Sequence, residues 1–544
     1  MNWVKQAGLS ILAIVLLMLV LVLPNRLIWI SEQAYLFFPL ELMVIGLLLL
    51  IPGWAGLLTR GLLALLVAVS AILRIADLIN YEILGRRFNV FFDFHLLADA
   101  SRLLTGAIGA FAPYAIGFAI LVMMALILGL SYWMLSRVRS VLMWSPRASG
   151  LSLIVLLLAW GLLNDAGWPR AQTYAWNQLT THAQDTLASY RDIQDFAQRV
   201  GRDPLRDQRP EGLFAALEGK DVLVVFVESY GRSLLEREPF AETITHALRQ
   251  AEADLSEQGL LMRSAYLTAV TVGGRSWLNH ATFLSGAWID SQTRYQSLML
   301  SERVTLNRLF RDAGWRTVAA VPAIQMAWPE GRFFGYDQIY HAHNFGYAGL
   351  PFNWVTMPDQ YVWSAIQSRE LSRPQPRQPL MIEFQLISSH APWTPVADLV
   401  PWEQVGDGTI FNPMAEAGPT PMEVWYDIDK IRDHYRRSII YAIETLSSFL
   451  QEYGHEDMVL MVLGDHEGAP RITGDWRSHD VPIHILSYDP AVLETFADWQ
   501  WEPGLLPSAE APVWRMDSFR NRFVDTFSGG ISGGVDLEVD PSSP

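Results

Sequence analysis

The sequence predicts two unlike halves: an N-terminal bundle of five transmembrane helices, then an α/β domain whose mainly parallel sheet is covered by helices on both faces. Three observations predict this. Of 544 residues, 51% are hydrophobic and only 18% charged, below the roughly 25% charged residues usual in soluble chains. The apolar residues of positions 1–164 gather into runs on the scale of the about 20 helical residues that cross a hydrocarbon core about 30 Å thick. Further on, short apolar runs rich in β-branched residues alternate with amphipathic stretches, the pattern of parallel strands buried on both faces.

The candidate spans cover about 9–23, 36–57, 61–79, 111–135 and 150–163. The first has Lys5 ahead of its apolar run, as a signal peptide would. It lacks an A-x-A cleavage site and four more spans follow, so it reads as a retained anchor. A cytoplasmic N-terminus places Lys5, Arg60, Arg137, Arg139 and Arg147 inside and Arg26, Arg86, Arg87 and Arg102 outside, a small majority under the positive-inside rule. An odd number of spans then sends everything after about residue 164 to the far side. The stretch 88–94 mixes aromatic and polar residues and reads either as a helix in the headgroup layer or as a loop. Arg74 and Asp77 stand near the end of the third span, either as functional intramembrane charges or at the water interface.

Residues 165–220 read as a linker with interfacial helices, anchored by Trp168 and Trp176. The globular domain covers 221–527, and the Pro/Ser-rich, acidic end 528–544 reads as a flexible tail. The net charge of 40 − 56 = −16 argues against a nucleic-acid partner, which needs a basic face. Cysteine is absent. That excludes disulfides, thiolate metal sites, a cysteine nucleophile and formylglycine made from cysteine.

Strands are expected at 221–227, 317–321, 380–387, 458–463 and 481–486. Between them lie helices such as 434–452, where Tyr435, Ile439, Ile443, Leu446 and Leu450 recur at helical spacing. Sheets of this kind carry their sites in the crevice at the carboxyl ends of the strands, so the residues after each strand are the candidates. Glu228 ends the first strand, and Gly464-Asp465-His466-Glu467-Gly468 ends the fourth. Two carboxylates and an imidazole suit a hard or borderline cation. Gly273-Gly274-Arg275-Ser276 opens a short helix closed by Gly286. Backbone N–H groups at a helix start favour negative charge, and a serine bound there to a dication can lose its proton and attack phosphorus. His390 follows the third strand and His479 precedes the fifth. Taken singly, each has a plainer reading: Glu228 as a solvated loop acid, Ser276 as an N-cap, each histidine as a structural one. Their gathering at strand ends favours a site.

With the motifs VESYGRS, GGRS…FLSG, SSHAPW and GDHEG in that order, the globular half resembles the alkaline phosphatase/sulfatase superfamily. The whole chain is similar to its membrane-anchored branch, the lipoteichoic acid synthase-like phosphoglycerol transferases and the phosphoethanolamine transferases. The resemblance implies one divalent metal, Zn or Mn, held by Glu228, Ser276, Asp465 and His466, with Ser276 as the nucleophile. It implies that His390 and His479 contact the substrate phosphate or leaving group. Trp328 and Arg332, in MAWPEGRFFGYDQIY, stand where the lipoteichoic acid synthases keep a Trp and an Arg for glycerol phosphate, although the local spacing differs; Arg275 adds positive charge beside the nucleophile. The branch usually carries Thr as nucleophile, where this chain has Ser. Phosphoethanolamine transferases of the lipid A type usually carry disulfides, which tilts the expectation toward phosphoglycerol.

The implied reaction moves a headgroup from a membrane phospholipid to a glycan or lipid acceptor. The implied location is the bacterial inner membrane, with the catalytic domain on the periplasmic, extracytoplasmic side. Two alternatives stay open: a membrane-tethered phosphodiesterase or serine-type sulfatase using water as acceptor, and an inactive membrane scaffold.

Overall fold

A computed structural model of the chain describes residues 2–24, 38–84, 87–89, 93, 111–165, 171–208, 210–326, 328–474, 478–496 and 498–529. They fall into two compact units, Met1–Gln194 and Asp195–Pro544. The segment 88–94 lies mostly outside the described residues, as do Trp168 and all of the tail from 530.

The first unit contains α1 (Asn2–Val22), α2 (Glu41–Leu49), α3 (Gly53–Leu84), α4 (Ala112–Leu142) and α5 (Pro146–Asp165), followed by α6 (Tyr174–Val200), which belongs to it as far as Gln194. Among the described residues, three helices are long and apolar enough to cross a membrane, over Lys5–Val22, Gly53–Tyr81 and Tyr114–Leu142. The apolar part of α5, Pro146–Leu162, is shorter. The second expected span does not form one helix. Pro52 has no N–H to continue α2, and Gly53 takes φ +66°. The apolar run therefore breaks there, and its end joins the third span in α3. At 1.5 Å per residue, the 32 residues of α3 measure roughly 48 Å, longer than a hydrocarbon core of about 30 Å.

Arg74 and Asp77 are both buried, and each is committed to protein partners rather than to water. Arg74 Nη2 donates to the Leu21 carbonyl at 2.9 Å and Nη1 donates to that of Leu23, satisfying carbonyls that the end of α1 leaves unpaired. Asp77 accepts from the Phe88 amide at 3.0 Å and lies 3.1 Å from His182 Nε2 on α6.

The second unit is built on a nine-stranded sheet. Its strands are β1 (Asp221–Val227), β2 (Leu261–Thr268), β3 (Arg316–Val321), β4 (Gln338–His341), β5 (Leu380–Leu386), β6 (Met458–Gly464), β7 (Asp480–Ser487), β8 (Glu502–Pro503) and β9 (Val513–Arg515). Their order is β8-β2-β7-β6-β1-β5-β3-β4, with β9 paired to β2. The run β6-β1-β5-β3-β4 is parallel. The expected mainly parallel sheet is amended at one side, where β7 is antiparallel to both β6 and β2. This reversal brings the start of β7 to the same edge as the carboxyl ends of β1 and β6.

β1 sits inside the sheet with all seven residues buried. Leu223, Val225 and Val227 feed one apolar core, with Ile244 and Leu248 of α7 (Ala241–Glu257). Val222, Val224 and Phe226 feed the other, with Leu278 and Phe283 of α8 (Ser276–Ser285) and Leu306 of α9 (Leu306–Asp312). The first core also takes Ile439 and Leu450 of α10 (Ile428–Tyr453), and the second takes Phe519 and Phe523 of α11 (Phe519–Phe527). Each fully buried Val, Leu or Phe contributes about 1.5–3 kcal/mol by leaving water, so β1 is strongly held at the point where the site begins. Phe196, Val200, Leu205, Phe214 and Leu217 also lie in the second core.

Candidate metal centre and nucleophile

β1 and β6 are neighbours in parallel register, Val227 opposite Gly464, so the next residues, Glu228 and Asp465, emerge side by side. Gly464 is required by close backbone approach: a Cβ there would lie 1.9 Å from the Tyr230 carbonyl oxygen. Asp465 Oδ1 accepts from the Ser229 and His466 amides, both at 2.7 Å. Glu228 Oε1 accepts from Ser229 Oγ at 2.7 Å and lies 3.2 Å from His466 Nε2. Glu228 Oε2 accepts from Ser276 Oγ at 2.9 Å. Ser389 Oγ, on the loop after β5, donates to the Glu228 carbonyl at 2.6 Å. The four side chains Glu228, Ser276, Asp465 and His466 thus converge, as the motifs led one to expect.

Ser276 is the first residue of α8, and Arg275 before it is left-handed at φ 64° and makes no side-chain cap bond. The Ser276 hydroxyl is not spent on capping the helix; it points to Glu228. Gly273 and Gly274, at φ 71° and 146°, permit the turn. Asn279 Nδ2 donates to Thr271 Oγ1 at 2.6 Å, and Thr271 Oγ1 donates to the Gly274 carbonyl at 2.8 Å. The Gly273 amide donates to the Glu467 carbonyl at 2.8 Å, tying this loop to the β6 loop. Three non-glycine residues with positive φ, Ser229, Arg275 and Trp393, sit on the three loops that build the site. Residues held in such strained conformations gather at functional sites.

Glu228, Asp465 and His466 are buried and can each offer a ligand atom, all within 4.8 Å of one another. His466 Nδ1 is engaged with the Glu467 carbonyl at 2.9 Å, the usual orienting contact of a metal-bound imidazole, while the buried Nε2 has no hydrogen-bond partner. Burial opposes the charge of Glu228, yet the His466 ring beside it holds its pKa well below the usual carboxylate range. Burial, and then the Glu228 charge, push Asp465 up. Burial works against a charged His466, but Asp465 and Glu228 raise it. Two buried carboxylates around one imidazole, with an unsatisfied ring nitrogen, fit a divalent cation.

His390 is half-buried on the loop after β5. Its ring stacks on Trp354, centroids 3.9 Å apart at 19°. Its Nδ1 bonds the Ala391 carbonyl at 2.6 Å. His479 stands at the same edge of the sheet, just before β7, with an exposed side chain; its carbonyl accepts from the Ala269 amide at 2.9 Å. Trp328 is half-buried, its ring 5.8 Å from Phe334 and 6.0 Å from Tyr336. It lines a cavity of about 360 Å³ with His341 and Asn344, at the carboxyl ends of β3 and β4. Arg332 is exposed on the one-turn helix Gly331–Phe334. β3 and β4 are two and three strands from β1, roughly 10–14 Å at the usual strand spacing. Trp328 and Arg332 therefore share the edge of the sheet with the cluster, at a distance from its centre.

Two residues of the site escaped the sequence reading. Trp354, in a loop without periodicity, left no signal. His280 left one: it follows Ser276 by four positions and so shares its helical face. His280 is buried, its ring 4.2 Å from that of Phe226. Burial drives its pKa down to about 3, so the ring is neutral.

No family model and no curated protein matches the chain. Solved structures do. The lipoteichoic acid synthase LtaP from Listeria monocytogenes is 16% identical, with 62% of this chain and 79% of that one covered and a TM-score of 0.37. The C-terminal periplasmic domain of EcEptC from Escherichia coli, in complex with Zn, is 12% identical over 57% of this chain and 82% of that one, with a TM-score of 0.37. The Streptococcus pyogenes phosphoglycerol transferase GacH, in complex with sn-glycerol-1-phosphate, is 12% identical over 66% and 89%, with a TM-score of 0.35.

Proposed function

We propose that the chain transfers a phosphoglycerol or phosphoethanolamine headgroup from a membrane phospholipid to a glycan or lipid acceptor, through a covalent intermediate on Ser276 and with one divalent cation, Zn or Mn. The observation that carries this reading is the Ser276 hydroxyl, 2.9 Å from Glu228 at the start of α8, free of any capping duty and beside Asp465 and His466. The order of the motifs VESYGRS, GGRS, SSHAPW and GDHEG supports it. Apolar helices in the first unit suit an enzyme whose donor is a lipid, with the catalytic unit on the extracytoplasmic side of a bacterial inner membrane.

Glu228, Ser276, Asp465 and His466 would hold the cation, which when bound supplies Lewis-acid stabilisation of phosphoryl charge and a lowered hydroxyl pKa. In the first half-reaction Ser276 Oγ gives up its proton along the bond to Glu228 and attacks phosphorus. The bond from phosphorus to the diacylglycerol oxygen breaks, and His390 delivers a proton to that oxygen. In the second half-reaction an acceptor hydroxyl gives its proton to His390 and attacks phosphorus, the P–Oγ bond breaks, and Glu228 returns its proton to Oγ to restore Ser276. Arg275, beside the nucleophile, supplies positive charge to the phosphate; His479, Trp328 and Arg332 are placed to meet the parts of the substrates that extend along the sheet edge.

The test is incubation of the full-length chain with headgroup-labelled phosphatidylglycerol or phosphatidylethanolamine and a glycan. Label transferred to the glycan, with diacylglycerol released, supports the proposal. Label found only as free glycerol phosphate or phosphoethanolamine would instead make water the acceptor.

A further inference from the structure

We infer that His280 is a further metal-facing residue, which adds a second imidazole to the cation site and biases it toward zinc over manganese or magnesium. The inference rests on the proposal that Glu228, Ser276, Asp465 and His466 bind a divalent cation, and it adds a residue and a class of ion to that proposal.

Position comes first. One turn of α8 separates His280 from Ser276, so both side chains leave the same face of the helix, and that face is turned to the cluster. His280 is 7% exposed. Its Nε2 has no hydrogen-bond partner among the described residues. A buried polar atom is rarely left so, because its lost hydration is not replaced. The nearest charged atom is Asp465 Oδ2, at 4.0 Å. The same oxygen is 3.9 Å from His466 Nε2, the other unsatisfied ring nitrogen of the site. Both separations are too long for hydrogen bonds. They leave room between the atoms for an ion, which would supply the partner that both ring nitrogens lack.

Packing alone does not account for the residue. The ring rests on Phe226, where an apolar side chain would fill the space without leaving a nitrogen unsatisfied. A second imidazole also changes what the site prefers. Carboxylate and hydroxyl oxygens suit magnesium and manganese, whereas imidazole suits zinc. With His466 as the sole nitrogen the donor set has one nitrogen against three oxygens; with His280 turned toward the same ion it would have two against three.

The experiment measures ion binding on the metal-stripped full-length chain in detergent, by chelator competition with Zn²⁺ and Mn²⁺ and by the absorption spectrum of the Co²⁺ form. The variants are His280→Ala and His280→Asn, each checked for a cooperative melt, so that failure of one to fold leaves the other. The expected result is a loss of Zn²⁺ affinity of at least about 10- to 100-fold, the range already seen when only an outer partner of a metal ligand is removed. Mn²⁺ affinity should change far less, and the Co²⁺ bands should shift. Unchanged Zn²⁺ affinity and an unchanged Co²⁺ spectrum in a folded variant would overturn the inference and reduce His280 to packing. Failure of the unsubstituted chain to bind any of the three ions would overturn the metal-dependent proposal itself.

Discussion

Gly464→Ala tests the claim that the two loops of the proposed metal site are held together by contact between neighbouring backbones. The added Cβ would stand 1.9 Å from the Tyr230 carbonyl oxygen, 2.8 Å from its carbon and 3.1 Å from Val481 Cβ. The first two obstacles are main chain, so no side chain can turn aside. The β6 end must move away from the loop that follows Glu228, and the bonds from the Ser229 amide to Asp465 and from Ser276 to Glu228 are the ones stretched. Forced overpacking of this kind costs about 1–3 kcal/mol, occasionally more. A misplacement of about 1 Å at a reacting centre costs roughly 100-fold in rate. The expected phenotype is therefore a lowered melting temperature together with a drop in turnover of about two orders of magnitude, larger than the stability loss alone explains. Differential scanning fluorimetry and headgroup-transfer rates on the same preparation provide the two readings. An alanine variant with unchanged melting temperature and turnover would refute the close approach and the rigid pairing of the two loops derived from it.

Ser276→Ala should abolish transfer while leaving the fold and Zn²⁺ binding within about tenfold, since three of the four proposed ligands remain; transfer rate and chelator competition check it. Trp354→Ala removes the ring on which His390 stacks and should lower kcat roughly 10- to 100-fold with cation affinity unchanged, and Trp354→Phe should restore most of the loss. His484 predicts an acid weakness. It is buried, with Nδ1 2.7 Å from Ser264 Oγ and Nε2 3.2 Å from Tyr230 Oη, and burial pushes its pKa down to about 3. A histidine with a depressed pKa contributes stability that is complete above its unfolded value of about 6.5 and is lost as pH falls toward the folded value. Between pH 7 and pH 4.5 that loss comes to about 2–3 kcal/mol, and chemical denaturation of His484→Gln should show a correspondingly smaller acid destabilisation than the unsubstituted chain.

Much of the site was legible because each of its main residues directly follows or precedes an apolar run. Glu228 closes β1, Asp465 and His466 close β6, and Ser276 opens a helix ended by Gly286. An apolar run of five to eight residues gives a strand but neither its direction nor its neighbours. The antiparallel course of β7 was therefore hidden, as was the adjacency of β1 and β6 that brings Glu228 to Asp465. His280 could have been found from its spacing to Ser276 once a helix was assumed. Trp354 could not, since a loop carries no period. In the first unit the breakers Pro52 and Gly53 were in plain view, but the apolar residues on both sides made one span of what is a short helix and the start of a long one. Arg74 and Asp77 read either as functional intramembrane charges or as charges at the water interface, because most of their partners, Leu21, Leu23 and His182, lie 51 to 105 positions away.

The most direct measurement is peptide mass spectrometry of the full-length chain after exposure to membrane phospholipids and Zn²⁺, quenched before acceptor is added. A mass increase on the peptide carrying Ser276 equal to one phosphorylated headgroup, absent from Ser276→Ala, is the predicted result, and its size would identify glycerol or ethanolamine. An unmodified Ser276 in a preparation that turns over donor, or an adduct on a different residue, would contradict the account.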